Sequence, residues 1–194
     1  WEQEPLRGTV TELSYHRYGG ADAETIAAIG AWGRTHGVPT AMLEHIGSAA
    51  DALHEDLTSG NVSAWEQFAL SWPDPDSGAH YFILDAGQPA GARAQLSSTG
   101  RYLRQYFRAF RPGGVRVGAT SSDATFAPVA VQHEGGRTAV VIKAARAGRL
   151  TIEGLAPGAY TTSCWTERAR WDRTDDPCAG AVDVDARGAA VVLV

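Results

Sequence analysis

Two short runs, LSYHRY at 13–18 and GVPTAMLEHIGS at 37–48, restrict what this chain can fold into more than any other feature. Each reads as an apolar strand that ends in polar groups, and the residues between them read as a helix. His16 and Glu44 stand 28 positions apart, close to the roughly 30 residues that one strand-plus-helix unit takes in an eight-unit barrel of about 250 residues. A strand, a helix and a second strand in this order imply a parallel pair.

The alternation continues to residue 111. Val10–Tyr18 is predicted as a strand that Gly19-Gly20 breaks. Asp22 is placed to cap a helix with Ile26, Ile29 and Gly33 along one face, and Gly37 to end it. Val38–Glu44 is the next strand, with Pro39 at its start. A loop with one helical turn follows, and then Asn61 is placed to cap a helix whose apolar face is Val62, Trp65, Phe68/Ala69 and Trp72. HYFILD at 80–85 is read as a third buried strand. Thr99–Arg111 is a helix with Leu103, Tyr106/Phe107 and Phe110 inward and arginines near its C-terminus, where they suit the macrodipole. Three such units cannot close a barrel, and they would leave a parallel edge exposed. The expectation is therefore a small open sheet, or the last three units of a barrel whose first five lie elsewhere.

Past Arg111-Pro112-Gly113-Gly114 no helix is predicted. Seven short strands are read at Val115–Ala119, Pro128–Gln132, Thr138–Ala144, Leu150–Glu153, Ala159–Trp165, Ala181–Asp185 and Ala189–Val194, with Gly- and Pro-bearing turns between them. That spacing argues a β-sandwich. The expected fold class is α/β plus all-β: 1–111 as the C-terminal portion of a barrel and 112–194 as a sandwich.

Composition removes several partners. A net charge of −5 and the absence of a Lys/Arg block leave no electrostatic footprint for nucleic acid. No run of 18 apolar residues occurs to span a membrane. A first residue of Trp reads as a processed, truncated or cropped N-terminus. The two cysteines, Cys164 and Cys178, are too few for structural zinc, which takes four ligands. A disulfide closing the loop between them is expected, with two free thiols as the alternative. Such a loop contributes about 3 kcal/mol in the chain-entropy model, and it implies an oxidising compartment and export. No His-Glu-x-x-His pattern, phosphate-cradling Gly loop or Ser-nucleophile elbow is present, so no metal or cofactor is expected.

Barrels of this kind carry their chemistry at the C-terminal ends of their strands. Alternation puts Ser14, His16 and Tyr18 on one face, and Glu44 is expected to share its face with Met42 and Thr40. Asp85 would end the third strand at the same height, so that Glu44, His16, Tyr18 and Asp85 converge at one rim. A retaining glycosidase needs two carboxyls about 5–5.5 Å apart, one as nucleophile and one as acid/base. Glu44 can be the first, with Tyr18 and His16 keeping it ionised and aimed; the plain alternative is a solvated residue after a strand. His45, His54, Glu55 and Asp56 are candidates for a sugar subsite or a cation, although neighbours in LHEDL do not face together on a helix. Trp65 and Trp72 read as core, with Trp72 able to stack on a sugar ring. Trp165 and Trp171 read as packing over the cysteine bridge.

At these residues the chain resembles the C-terminal half of clan A retaining glycoside hydrolases, family 30 foremost, with families 39 and 79 as relatives. YHRY at 15–18 is similar to the end of barrel strand six, and MLEH at 42–45 to the end of strand seven, where the clan keeps its nucleophilic Glu. YLRQYFRAFRPGGVRVGATSSD at 102–123 resembles the last barrel helix running through a linker into the family 30 sandwich. The resemblance implies a secreted enzyme acting on carbohydrate, with Glu44 as nucleophile and His16, Tyr18, His45, Asp85 and Trp72 on the substrate side. The pattern is departed from in two places. The clan's acid/base follows an Asn, and the single Asn here, Asn61, precedes Val62, which places the acid/base in a missing N-terminal barrel segment. The clan's Trp after strand eight is replaced by Asp85-Ala86-Gly87. The rival expectation is a non-catalytic carbohydrate-binding or structural β-sandwich module with a barrel remnant.

Overall fold

The structure, a computed structural model, describes residues 8–48, 50–71, 81–84, 94–164, 180–184 and 189–193, the last two stretches by backbone alone. The chain divides into two compact units, 1–100 and 101–194.

In the first unit, β1 (Leu13–His16), β2 (Thr40–Glu44) and β3 (Val62–Trp65) form a parallel sheet in the order β1-β2-β3. Helix α1 (Ala23–His36) connects the first pair and α2 (Ala50–Thr58) the second. Helix α1 starts where expected, because the Asp22 carboxylate accepts the Thr25 N–H at 2.8 Å. It stops at Gly37, whose φ of 65° suits a residue without Cβ and directs its N–H to the Gly33 carbonyl. Ile26 is fully buried. Gly33 lies so close to the sheet that a Cβ there would sit 2.7 Å from Thr40 Cγ2 and 2.8 Å from the Val38 carbonyl.

Two expectations for this unit are corrected. The segment after Asn61 is strand β3, not a helix. Asn61 adopts φ 55°, ending the turn after α2, and Val62 then enters the ladder of β2. Thr40 pairs with Val62 and Ala41 with Ala64, so Ser63 is an extra residue on β3. This bulge brings Val62 and Trp65, three apart, to one face and so imitates helical spacing. The run at 80–85 contributes β4 (Phe82–Leu84), which is not in the parallel sheet; it pairs antiparallel with β5 (Ala94–Leu96). The third parallel strand is β3, so the order is β1-α1-β2-α2-β3.

Helix α3 (Ser98–Ala109) runs across the division between the units, with Leu103 and Tyr106 buried. Among its described residues the second unit then holds seven strands near the expected positions: β6 (Val115–Val117), β7 (Phe126–Gln132), β8 (Thr138–Ala144), β9 (Gly148–Ile152), β10 (Gly158–Thr162), β11 (Gly180–Val184) and β12 (Ala189–Leu193). All pair antiparallel: β6-β7-β8 as a meander, β9 with β12, and β10 with β11. Phe126, Val129, Ala130 and Val131 are buried on the central strand of the meander. His133 Nε2 donates to the Ala109 carbonyl at 2.7 Å, tying the end of β7 to the end of α3. Among the described residues, no helix is long and apolar enough to cross a membrane.

Candidate active site at the ends of the parallel strands

The two faces of the parallel sheet have different chemistry. One face is turned to the helices. Tyr15, paired with Met42, donates from its hydroxyl to Asp56 Oδ1 on α2 at 2.7 Å. Trp65, also paired with Met42, donates from Nε1 to Asp56 Oδ2 at 2.9 Å. Thr40 Oγ1 donates to the Gly60 carbonyl at 2.8 Å. Thr40 and Met42 therefore belong to the helix side, which corrects the expectation that they share a face with Glu44. The reason is a second bulge. Tyr15 pairs with Met42 and His16 with Glu44, so Leu43 is an additional residue on β2. It reverses the phase of the strand and turns Glu44 to the side of His16, away from the helices.

On that side Tyr18 and Glu44 meet. The Tyr18 hydroxyl donates to Glu44 Oε1 at 3.2 Å and accepts the Ile46 N–H at 2.8 Å. An amide pointed at the phenol oxygen strengthens the phenol as a donor. The Arg17 N–H donates to the Glu44 carbonyl at 3.3 Å, which fixes the strand ends relative to each other. His16 lies edge-on to Tyr18 with ring centroids 6.0 Å apart, and His45 does the same from the other strand at 5.4 Å.

His45 is held at three points. Its N–H donates to Gln67 Oε1 at 3.0 Å, and Gln67 Nε2 donates back to its carbonyl. Its Nδ1 lies 2.7 Å from Ser48 Oγ. Gln67 follows β3, so one side chain joins the loops after β2 and β3.

The helix side supplies the rigidity. Arg17, next to Tyr18, points its guanidinium to α2, where it pairs with Glu55 and lies 3.4 Å from Asp56 Oδ1. It also donates to the Ala52 carbonyl at 3.3 Å. Asp56 is fully buried. Burial pushes its carboxyl above the ordinary range, against donors from Tyr15 and Trp65 and the charge of Arg17, which pull it down. Burial, and then the bond to Asp56, push the Tyr15 phenol up strongly.

Of the expected site residues, Glu44, His16, Tyr18 and His45 are brought together. Asp85, Trp72 and Cys178 lie outside the described residues. His54, Glu55 and Asp56 belong to α2; Glu55 and Asp56 engage Arg17, and Asp56 is shut away from any sugar. Trp65 is part of the helix-side network, as a core reading implies, although by strand spacing and not helical spacing. Ser48 and Gln67 were missed: nothing in the sequence marks a Gln two residues past a strand as a clamp on another loop. Among the described residues, no three His, Cys, Asp or Glu side chains gather to hold a metal ion.

No model of a known protein family matches the chain, and no curated protein matches it. Solved structures do. A GH30 endoxylanase from Clostridium papyrosolvens C71 aligns with a TM-score of 0.66 at 16% identity, over 94% of this chain and 46% of that one. The catalytic domain of GH30 xylanase C from Talaromyces cellulolyticus aligns with a TM-score of 0.61 at 15% identity, over 91% of this chain and 48% of that one. The chain spans about half the length of these enzymes. It therefore has the fold of about one half of a glycoside hydrolase family 30 enzyme.

Proposed function

We propose that this chain is the C-terminal portion of a secreted retaining glycoside hydrolase that cleaves β-linked glycosides, with xylan-type polysaccharide as the substrate class. Residues 1–111 would supply barrel units six to eight and residues 112–194 a sandwich, with the acid/base in an upstream barrel segment. The observation that carries this reading is the Tyr18–Glu44 pair at the C-terminal end of the central parallel strand. The likeness in fold to two xylan-cleaving enzymes supports it. Tyr18 occupies Glu44 Oε1, which would leave Oε2 to attack the anomeric carbon. The leaving oxygen takes its proton from the acid/base, and water then releases the sugar from the Glu44 ester. Export belongs to the same proposal, through the expected Cys164–Cys178 bridge and the oxidising compartment that such a bridge needs.

The test is a 2-fluoro xylobioside with a good leaving group, incubated with the complete protein and followed by peptide mapping. Label on Glu44 is expected. Label on another carboxylate would end the assignment.

A further inference from the structure

Ser48 is only 4% exposed, and the partner of its hydroxyl among the described residues is His45 Nδ1. A buried hydroxyl that fails to donate its proton costs more than one that fails to accept, since the undonated proton has lost its water. Ser48 therefore donates, Nδ1 accepts, and the imidazole is neutral with its proton on Nε2. The Gln67 amide bonds to both the N–H and the carbonyl of His45, and the Tyr18 ring packs against it at an interplanar angle of 77°. Tautomer, backbone and ring plane are thus all held. Nε2–H has no protein acceptor among the described residues, and it belongs to the residue that follows Glu44.

We propose that His45 is a neutral hydrogen-bond donor to a sugar hydroxyl in the subsite of Glu44, with its tautomer set by Ser48 and its position by Gln67. This rests on Glu44 being the nucleophile. A neutral donor suits that place. It recognises a hydroxyl oxygen without putting a positive charge beside the carboxylate, and such a charge would pair with Glu44 and weaken it as a nucleophile. Ser48 and Gln67 are positioning residues; His45 would touch the substrate.

Two measurements test it. Long-range 1H–15N spectra of histidine-labelled chain, assigned by the loss of one ring in His45→Gln, should show His45 protonated at Nε2. Ser48→Ala should turn this into a mixture of tautomers while the other five His rings keep their signals. In the complete protein carrying Glu44→Gln, xylotriose affinity should fall about tenfold for His45→Phe, the scale of one neutral hydrogen bond. His45→Gln, whose amide N–H can take the place of Nε2–H, should stay within about threefold of the parent by the same scale. A ring protonated at Nδ1, or equal loss with Phe and Gln, overturns the proposal. A ring protonated at Nε2 in a protein that binds no xylotriose overturns the sugar as its acceptor, and points to failure of the glycosidase reading.

Discussion

Glu44 and Asp56 are two carboxylates on opposite faces of the sheet, and their surroundings differ. Among the described residues, Glu44 has one donor, Tyr18, on one of its oxygens, whereas Asp56 has both oxygens occupied and no exposure. Glu44→Gln should therefore lower kcat of the complete enzyme by several orders of magnitude and leave its thermal midpoint nearly unchanged, as activity assay and calorimetry would show. Asp56→Asn should do the reverse. The new amide presents N–H to one of the donors Tyr15 and Trp65, a mismatch of about 1–3 kcal/mol of stability, measurable by denaturant unfolding. The placement of Glu44 at a strand end was legible in the sequence, because the apolar run before it reads as a strand. The Asp56 network was not, since Tyr15 and Arg17 alternate with His16 and Tyr18 and only the α2 contacts reveal which set is the anchor.

At the scale of elements, the two caps of α1 read true, while strand phase and the cap expected at Asn61 did not. Asp22, Gly37 and the turn signals of the second unit state their local backbone geometry directly. Bulges at Ser63 and Leu43 have no such signature: an additional residue changes parity without changing composition, and it turned β3 into an apparent helix and misplaced Thr40 and Met42. HYFILD was apolar enough for a parallel strand, but its partner β5 decided its direction. In the turn before β7, Asp123 accepts from the Thr125 hydroxyl at 2.7 Å and amide at 2.9 Å and pairs with Arg146. Those bonds hold its carboxyl at about 2. Its folded value is depressed, so its contribution is present above the ordinary carboxylate value of about 3.9 and is lost as pH falls through about 2. Amide exchange in residues 121–126 of the wild type should quicken over that window, and Asp123→Asn should show the faster exchange already at neutral pH. The Cys164–Cys178 bridge, if formed, follows β10; alkylation under denaturing, non-reducing conditions should find no free thiol, and reduction should lower stability by about 3 kcal/mol without unfolding the first unit.

For the whole molecule, the change from helices with parallel strands to antiparallel strands was visible in the sequence. Among the described residues three parallel strands precede it, the number expected, though with β3 in place of the run at 80–85. The 194 residues alone should show no hydrolysis of aryl β-xylosides, since the proposed acid/base belongs to an upstream barrel segment. Activity from purified, monodisperse chain would contradict this. The sheet order has a practical meaning for such a fragment. Glu44 stands on β2, the middle strand, laddered to β1 on one side and β3 on the other, while Tyr18 and Gln67 come from the two flanking strands' own ends. Every bond described around the carboxylate is therefore internal to the piece. If Glu44 is the nucleophile and the acid/base lies upstream, as proposed, the two carboxylates would sit on separate pieces with Glu44 keeping its own neighbours, which is the arrangement a split reporter requires: two silent parts, with signal arising only when they are brought together.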